Sequence, residues 1–214
     1  SISAVKSGKK ILLANKESLV MCGRLFIDLA KKHKATILPV DSEHNALHQC
    51  FFNNENDTNV EKIILTASGG PLLNKDINSF DKISVEEALN HPTWSMGKKI
   101  SIDSATMMNK IFEVIEAQKI FDLDIDKFKI LIHPKSYVHA IVHFTNGLTK
   151  FLAHETTMEI PIINSLYRRK ETLVYNNKEF FFNKLNGLNF IKPSYKNFPL
   201  LKILNYKFEN TYFE

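Results

Sequence analysis

Only two cysteines, Cys22 and Cys50, stand among the 214 residues. They form neither a disulfide framework nor a CxxC site, so we read them as reduced thiols of a cytosol-like compartment. No apolar run approaches the roughly 20 residues that a membrane helix needs. The opening SISAVKSGKK has no signal-peptide h-region, and no membrane partner is expected. It also lacks a starting Met, so we expect a chain that begins inside a longer protein. The net charge of +5 is spread along the chain, with no basic stripe and no nucleic-acid-binding motif, so no nucleic acid is expected. A phosphorylated small molecule is compatible with this mild excess. There is no internal repeat, no G-x-G-x-x-G and no P-loop lysine. What remains is 44% hydrophobic and 24% charged, an ordinary globular composition. The length suffices for one good-sized core without disulfides.

Apolar periodicity predicts buried strands at 9–15, 35–41 and 62–67. Between the first two, Leu19, Cys22, Leu25, Phe26, Leu29 and Ala30 have helical spacing over 17–33. A short helix is expected at 84–90. The clearest one is expected at 104–121, with Asp103 and Ser104 as N-cap types. After Lys127 the texture changes. FKILIHP reads as a strand, and 137–144 and 148–154 read as strands joined by Thr145-Asn146-Gly147. Alternating elements followed by consecutive strands predict an α/β (α+β) fold: a central sheet with flanking helices, a parallel unit first and an antiparallel section after it. The stretch 168–214 has little periodicity.

Four short constellations could carry chemistry. Asp41 and Glu43, two apart at the end of a predicted strand, would face the same way beyond a sheet's carboxyl edge. Paired carboxylates there suit a hard divalent cation, though on pattern alone a polar helix-capping turn is the better reading. Ser68-Gly69-Gly70 ends another strand with free N–H groups and a hydroxyl, fit for a phosphate or for a plain turn. The only Trp, Trp94, sits between Pro92 and Gly97 and could close over a ligand or anchor its loop. Asn109, Lys110 and Glu113 share one polar helix face, which alone reads as a surface ion pair, and Ser104 at the helix start could meet an anion. The histidines at 133, 139, 143 and 154 read as sheet-surface or interface residues. His139 and His143 would lie about 13 Å apart on one strand, too far to share an ion.

In joint order, ANKESLV at 14–20, VDSEHNA at 40–46, SGGP at 68–71, HPTWSMGKKISIDSATMMNK at 91–110 and IHPKSYVHAIV at 132–142 resemble the 1-deoxy-D-xylulose 5-phosphate reductoisomerase family. The likeness is good over 1–165 and weak beyond. It implies a catalytic core at 21–165, entered through 1–20 from a nucleotide-binding domain and followed at 166–214 by a connection toward a C-terminal domain. By resemblance, Asp41, Glu43 and Glu113 bind Mn²⁺ or Mg²⁺. Lys16, Ser42, Ser68, His91, Trp94, Ser104, Asn109, Lys110 and Glu113 contact a phosphosugar, with Lys16, His91 and Glu113 in catalytic roles. Asn15, Glu17 and Gly97 touch NADPH. His91 to Gly97 form a flap, and the late hairpin pairs two subunits in a homodimer.

The implied reaction rearranges and reduces 1-deoxy-D-xylulose 5-phosphate to 2-C-methyl-D-erythritol 4-phosphate in isoprenoid synthesis, in a bacterial cytoplasm or a plastid-like organelle. The chain departs from the family pattern at Ile111, usually Gly, at Leu72, usually Phe, and over 154–161, where Glu159 stands for an Arg. Two other readings stay open: a metal-dependent phosphosugar isomerase or lyase without hydride transfer, and a non-catalytic dimerising fragment. Without a nucleotide fingerprint, the 214-residue chain alone is expected to lack reductase activity.

Overall fold

The computed structural model describes residues 2–51, 59–167 and 181–206. Helix α1 (Ile2–Lys6) leads to strand β1 (Lys10–Leu13), helix α2 (Glu17–Lys32) and strand β2 (Thr36–Pro39), followed by helix α3 (Ser42–Phe51) and strand β3 (Val60–Ala67). After a 3₁₀ turn at Ile77–Lys82 come α4 (Val85–Leu89), α5 (Lys98–Ala105) and α6 (Met108–Phe121). Strands β4 (Phe128–Ile132), β5 (Val138–Phe144) and β6 (Thr149–Ala153) complete the sheet, and α7 (Glu159–Tyr167) and α8 (Phe181–Leu185) follow. A 3₁₀ turn at Pro199–Asn205 closes the described chain.

The fold is mixed α/β, with the strands in two sheets. β1 and β2 form a parallel pair from Lys10↔Thr36 to Leu13↔Pro39. The second sheet has the order β4-β3-β5-β6, parallel between β3 and β4 and antiparallel elsewhere. β3 stands apart from the β1–β2 pair and becomes an inner strand of the larger, mixed sheet. The reason lies in β5, VHAIVHF, whose residues are buried except His143. It must lie between β3 and β6 to be covered.

Helix α2 forms because Leu19, Phe26 and Ala30 fall on one face, against Val5 and Leu13. Glu17 in its first turn and Lys31 and Lys32 in its last complement the helix dipole. Asn15 Oδ1 accepts from the backbone N–H of Ser18 at 3.0 Å and so satisfies an exposed helix-start donor. Helices α3 and α6 cover the larger sheet: Leu47 and Phe51 meet Ile63, Leu65, Val114, Ala117, Val142 and Phe144. Each such side chain contributes about 1.5–3 kcal/mol of burial.

The expected single helix over 104–121 is in fact two. Met107 adopts a left-handed conformation (φ 63°, ψ 9°) between α5 and α6, at a strain of roughly 1–2 kcal/mol. Met107 is buried, packed with Ile111 and Ile115 against Phe198 and Leu201 of the 3₁₀ turn. That packing holds the break, and hydropathy periodicity cannot detect it, because α5 and α6 both continue the apolar spacing. Ile111, where the family usually has Gly, is fully buried in this contact. Ile191 bridges Ile132 of β4 through N–H···O bonds of 2.7 and 2.8 Å. The late segment 190–206 thus packs back on the sheet and on α6.

Candidate active site

The break at Met107 aims two helices into one cleft. On α6, Asn109, Lys110 and Glu113 point inward, with Lys110 and Glu113 almost fully buried. The surface-pair reading of these residues is overturned. Opposite them, Asp41 stands in the turn after β2 and Glu43 in the first turn of α3. The two carboxylates converge as expected, but not as strand residues: the strand ends at Pro39, and a helix start turns them inward. Glu43 N–H donates to Asp41 Oδ1 at 3.2 Å, and Ser42 Oγ–H donates to Glu43 Oε2 at 2.5 Å.

Two lysines interleave with the carboxylates. Lys16 Nζ lies 2.6 Å from Asp41 Oδ2, 2.9 Å from Glu113 Oε1 and 3.0 Å from Asn109 Oδ1. Lys110 Nζ lies 2.7 Å from Glu43 Oε1 and also contacts Glu113. Burial alone would lower the pKa of Lys16, but Asp41 and Glu113 hold it well above the ordinary value. Burial would likewise raise that of Asp41, yet Lys16 and His44 hold it far below the carboxylate range. Glu113 goes the other way: burial and the Glu43 charge push its pKa up.

Behind this layer, His44 Nδ1 sits 3.0 Å from Glu116 Oε2 and 3.4 Å from Asp41 Oδ1, while Nε2 meets the carbonyl oxygen of Glu113 at 2.8 Å. Burial opposes its charge, but Glu116 and Asp41 raise its pKa to about 9. Four carboxylates, Asp41, Glu43, Glu113 and Glu116, thus share three basic groups, Lys16, Lys110 and His44. Ligand oxygens of Asp41, Glu43 and Glu113 lie within 4.8 Å of one another. The donor set is all oxygen, with Glu113 buried and Asp41 and Glu43 partly buried, and its carboxylates outnumber the basic groups beside them, which fits a hard divalent cation. His44 and Glu116 were missed as its support; His44 lies inside VDSEHNA, but nothing in the local spacing points to Glu116.

At the other end, His91 gathers the hydroxyls. Its Nε2 is 2.9 Å from Ser68 Oγ and 3.1 Å from Ser104 Oγ. Its Nδ1 accepts from the N–H groups of Thr93 at 3.2 Å and Trp94 at 3.0 Å. Nδ1 is thus unprotonated, Nε2 carries the proton of the neutral ring, and burial lowers the pKa further. Ser104 belongs to the last turn of α5, so the expected helix-start contact with an anion is corrected. Gly70 (φ 69°) is required here, because a Cβ would lie 2.6 Å from the carbonyl oxygen of Ser104.

Trp94 lines the cleft and meets His139 edge-on at 6.5 Å. His139 stacks on His154 with centroids 3.7 Å apart. Both are buried, as is His133, so only His143 keeps the surface position expected of all four. Burial and the neighbouring His154 lower the His139 pKa to about 4. Ser136, His139, Met96 and Met158 also line the cleft and were not singled out.

Asn15, Glu17 and Gly97 lie outside the cleft wall. Asn15 caps α2, and Gly97 begins α5. Glu17 reaches α5 through Lys99, 2.7 Å away, which also pairs with Asp103.

Comparison with known proteins matches this geometry to one family. The 1-deoxy-D-xylulose 5-phosphate reductoisomerase C-terminal domain matches residues 37–121, and a second domain of that enzyme matches residues 1–23. The chain belongs to the 1-deoxy-D-xylulose 5-phosphate reductoisomerase family. It is 50% identical to the reductoisomerase of Pelagibacter ubique over 205 residues, covering 96% of this chain and 52% of that protein. It is 45% identical to that of Haemophilus ducreyi, covering 95% and 53%. The chain thus spans about half the length of the curated relatives it matches. A crystal structure of DOX-P reductoisomerase in complex with NADPH, fosmidomycin and magnesium superposes with a TM-score of 0.88 at 44% identity, covering 96% of this chain and 52% of that one. The reductoisomerase from Zymomonas mobilis in complex with NADPH gives 0.85 at 41%, covering 95% and 52%.

Proposed function

We propose that the chain supplies the metal- and substrate-binding core of an NADPH-dependent enzyme that converts 1-deoxy-D-xylulose 5-phosphate to 2-C-methyl-D-erythritol 4-phosphate. The observation that carries this reading is the buried lattice of Asp41, Glu43 and Glu113 with Lys16 and Lys110. The three carboxylates would hold Mn²⁺ or Mg²⁺, and the ion supplies Lewis-acid polarisation of a substrate carbonyl when bound. Lys16 keeps a fixed positive charge beside the substrate oxygens, and Asn109 fixes its direction. Ser42 orients Glu43 and offers its hydroxyl to the substrate. Ser68, Ser104, Asn109 and Lys110 receive the phosphate, with His91 tying the two serines together. The flap from His91 to Gly97 brings Trp94 across the cleft and excludes water.

NADPH would approach from the side where α2 and α5 begin, along Asn15, Glu17 and Gly97. The Glu17–Lys99 pair joins those two helix starts. Residues 21–165 act as the catalytic unit, with 1–20 as its entry and 166–214 as a connection. Two copies would pair across β6 and α7, where Leu148, Phe151, Ile162 and Leu166 are exposed. A substitution such as Phe151→Glu is expected to shift the sedimentation profile toward monomer. Among the described residues, no helix is long and apolar enough to cross a membrane.

The deciding test is calorimetric titration of Mn²⁺ into wild type and Glu113→Gln. Saturable binding that weakens by on the order of 100-fold in the variant supports the ligand set. Equal binding by both proteins would remove Glu113 from it.

A further inference from the structure

One buried hydroxyl in the cleft wall has no partner. Ser136 lies in the connection between β4 and β5, after His133-Pro134-Lys135. Its backbone is left-handed at φ 50°, a conformation that a non-glycine residue enters only at a cost. The turn closes through the Ser136 N–H, which donates to the carbonyl oxygen of His133 at 2.8 Å. The side chain takes no part in that closure. Ser136 is only 7% exposed, its Oγ has no hydrogen-bond partner, and it lines the cleft. An unsatisfied buried hydroxyl is rare in a native structure and destabilising. Here it coincides with a strained backbone at the wall of a binding cleft, a combination that strain at functional sites produces.

The topology says which end of the cleft it serves. β3 and β4 run parallel and end in register at Ala67↔Ile132, and the His133 N–H donates to the carbonyl oxygen of Ala67 at 2.7 Å. The chains leaving these adjacent ends lead to Ser68 on one side and Ser136 on the other. Ser136 therefore shares the carboxyl edge of Ser68, where open α/β sheets take their ligands. Ser68 is already joined there to His91 and Ser104. This is the hydroxyl-rich end of the cleft.

We propose that Ser136 is a further substrate-binding residue whose hydroxyl donates to a phosphate oxygen of the bound phosphosugar. The inference rests on the reading given under Proposed function. A donor at this edge, approaching from β4, would fix the phosphate against rotation in a way that Ser68 and Ser104, both tied to His91, cannot.

The test uses the full-length enzyme loaded with Mn²⁺ and lacking NADPH, in wild-type, Ser136→Ala and Ser136→Gly forms. Each is titrated calorimetrically with 1-deoxy-D-xylulose 5-phosphate and, separately, with inorganic phosphate. Glycine adopts φ 50° without strain, so Ser136→Gly keeps the turn even if Ser136→Ala folds poorly. Both variants are expected to bind both ligands about ten-fold more weakly, equivalent to about 1.4 kcal/mol, with Mn²⁺ affinity unchanged. Wild-type affinity for inorganic phosphate in Ser136→Gly would overturn the proposal. Loss for the sugar phosphate with none for inorganic phosphate would move the contact to a sugar hydroxyl and overturn the phosphate assignment. A wild-type enzyme that binds Mn²⁺ but neither ligand would bring down the functional reading itself, and this proposal with it.

Discussion

At the carboxylate end of the cleft, Lys16, Asp41, Glu43, Lys110 and Glu113 come from regular elements or the turns that start them, and each has an oppositely charged partner within 3 Å. At the hydroxyl end, His91 fastens the loop at 91–97 through neutral hydrogen bonds to two serines and two backbone N–H groups, and Trp94 packs against His139. The first arrangement is costly to disturb, because removing one partner leaves a buried charge uncompensated. The second can open and close, because its bonds are few and exchangeable with water. A site that must hold an ion and also admit a substrate needs both kinds of construction.

The largest effect should come from breaking the charged lattice. In Lys110→Met, Glu43 loses its cation and Glu113 keeps only Lys16, and the protein is expected to lose about 3–5 kcal/mol of stability in denaturant titration. Saturating Mn²⁺ should return much of that loss, since an ion that binds only the folded form stabilises it. A loss that Mn²⁺ leaves untouched would mean that Lys110 acts by packing and not by charge.

Next in size is the contact that holds the α5–α6 break. Ile111→Ala removes a fully buried side chain from the cluster with Met107, Phe198 and Leu201. About 3 kcal/mol should be lost, accompanied by weaker Mn²⁺ binding, because Asn109 and Glu113 lie on the same turns of α6. Normal metal affinity at reduced stability would separate the break from the site.

These two positions also mark what the sequence could and could not reveal. The convergence of Asp41 and Glu43 was legible in their spacing, whereas Glu113 joined them only through the family resemblance, its own helix face reading as a surface ion pair. The route by which they converge was not. Periodicity runs through Met107 without interruption, so one helix was expected where a left-handed residue divides two. The inward aim of Lys110 was equally hidden, since a Lys–Glu pair three apart looks the same on a surface as in a core. The splitting of the strands between two sheets depends on β5, which begins at Val138, far along the chain from the parallel unit that ends at Pro39. The buried stack of His139 on His154 depends on hairpin register, with a shift between Val138 and Ala140, which spacing along a single strand does not encode.

That stack gives a smaller, pH-dependent effect. His139 has its pKa lowered to about 4 by burial and by His154, against about 6.5 when unfolded. A group depressed in this way binds its proton more readily in the unfolded chain. Its contribution is therefore present above about pH 6.5 and is lost as pH falls toward 4. In His139→Phe, the stability-versus-pH curve between those limits should flatten by at most about 1.4 kcal/mol per pH unit. An unchanged slope would mean that the acid sensitivity lies with the carboxylates.

The smallest effect on stability falls at the hydroxyl end, where the comparison is sharpest. Replacing His91 with Phe removes neutral hydrogen bonds worth about 0.5–1.5 kcal/mol each, and water can take their place at this half-buried loop, so the unfolding midpoint should move little. The loop itself should respond. Trp94 is the only tryptophan in the chain, and its backbone N–H donates to His91 Nδ1. Its fluorescence therefore reports on the loop without a label. In His91→Phe the emission should shift to the red as the indole leaves His139 for water, while Mn²⁺ affinity stays as in wild type. An unshifted emission would mean that packing against His139 holds the flap unaided, and a collapse in stability would mean that the two ends of the cleft are one structural unit.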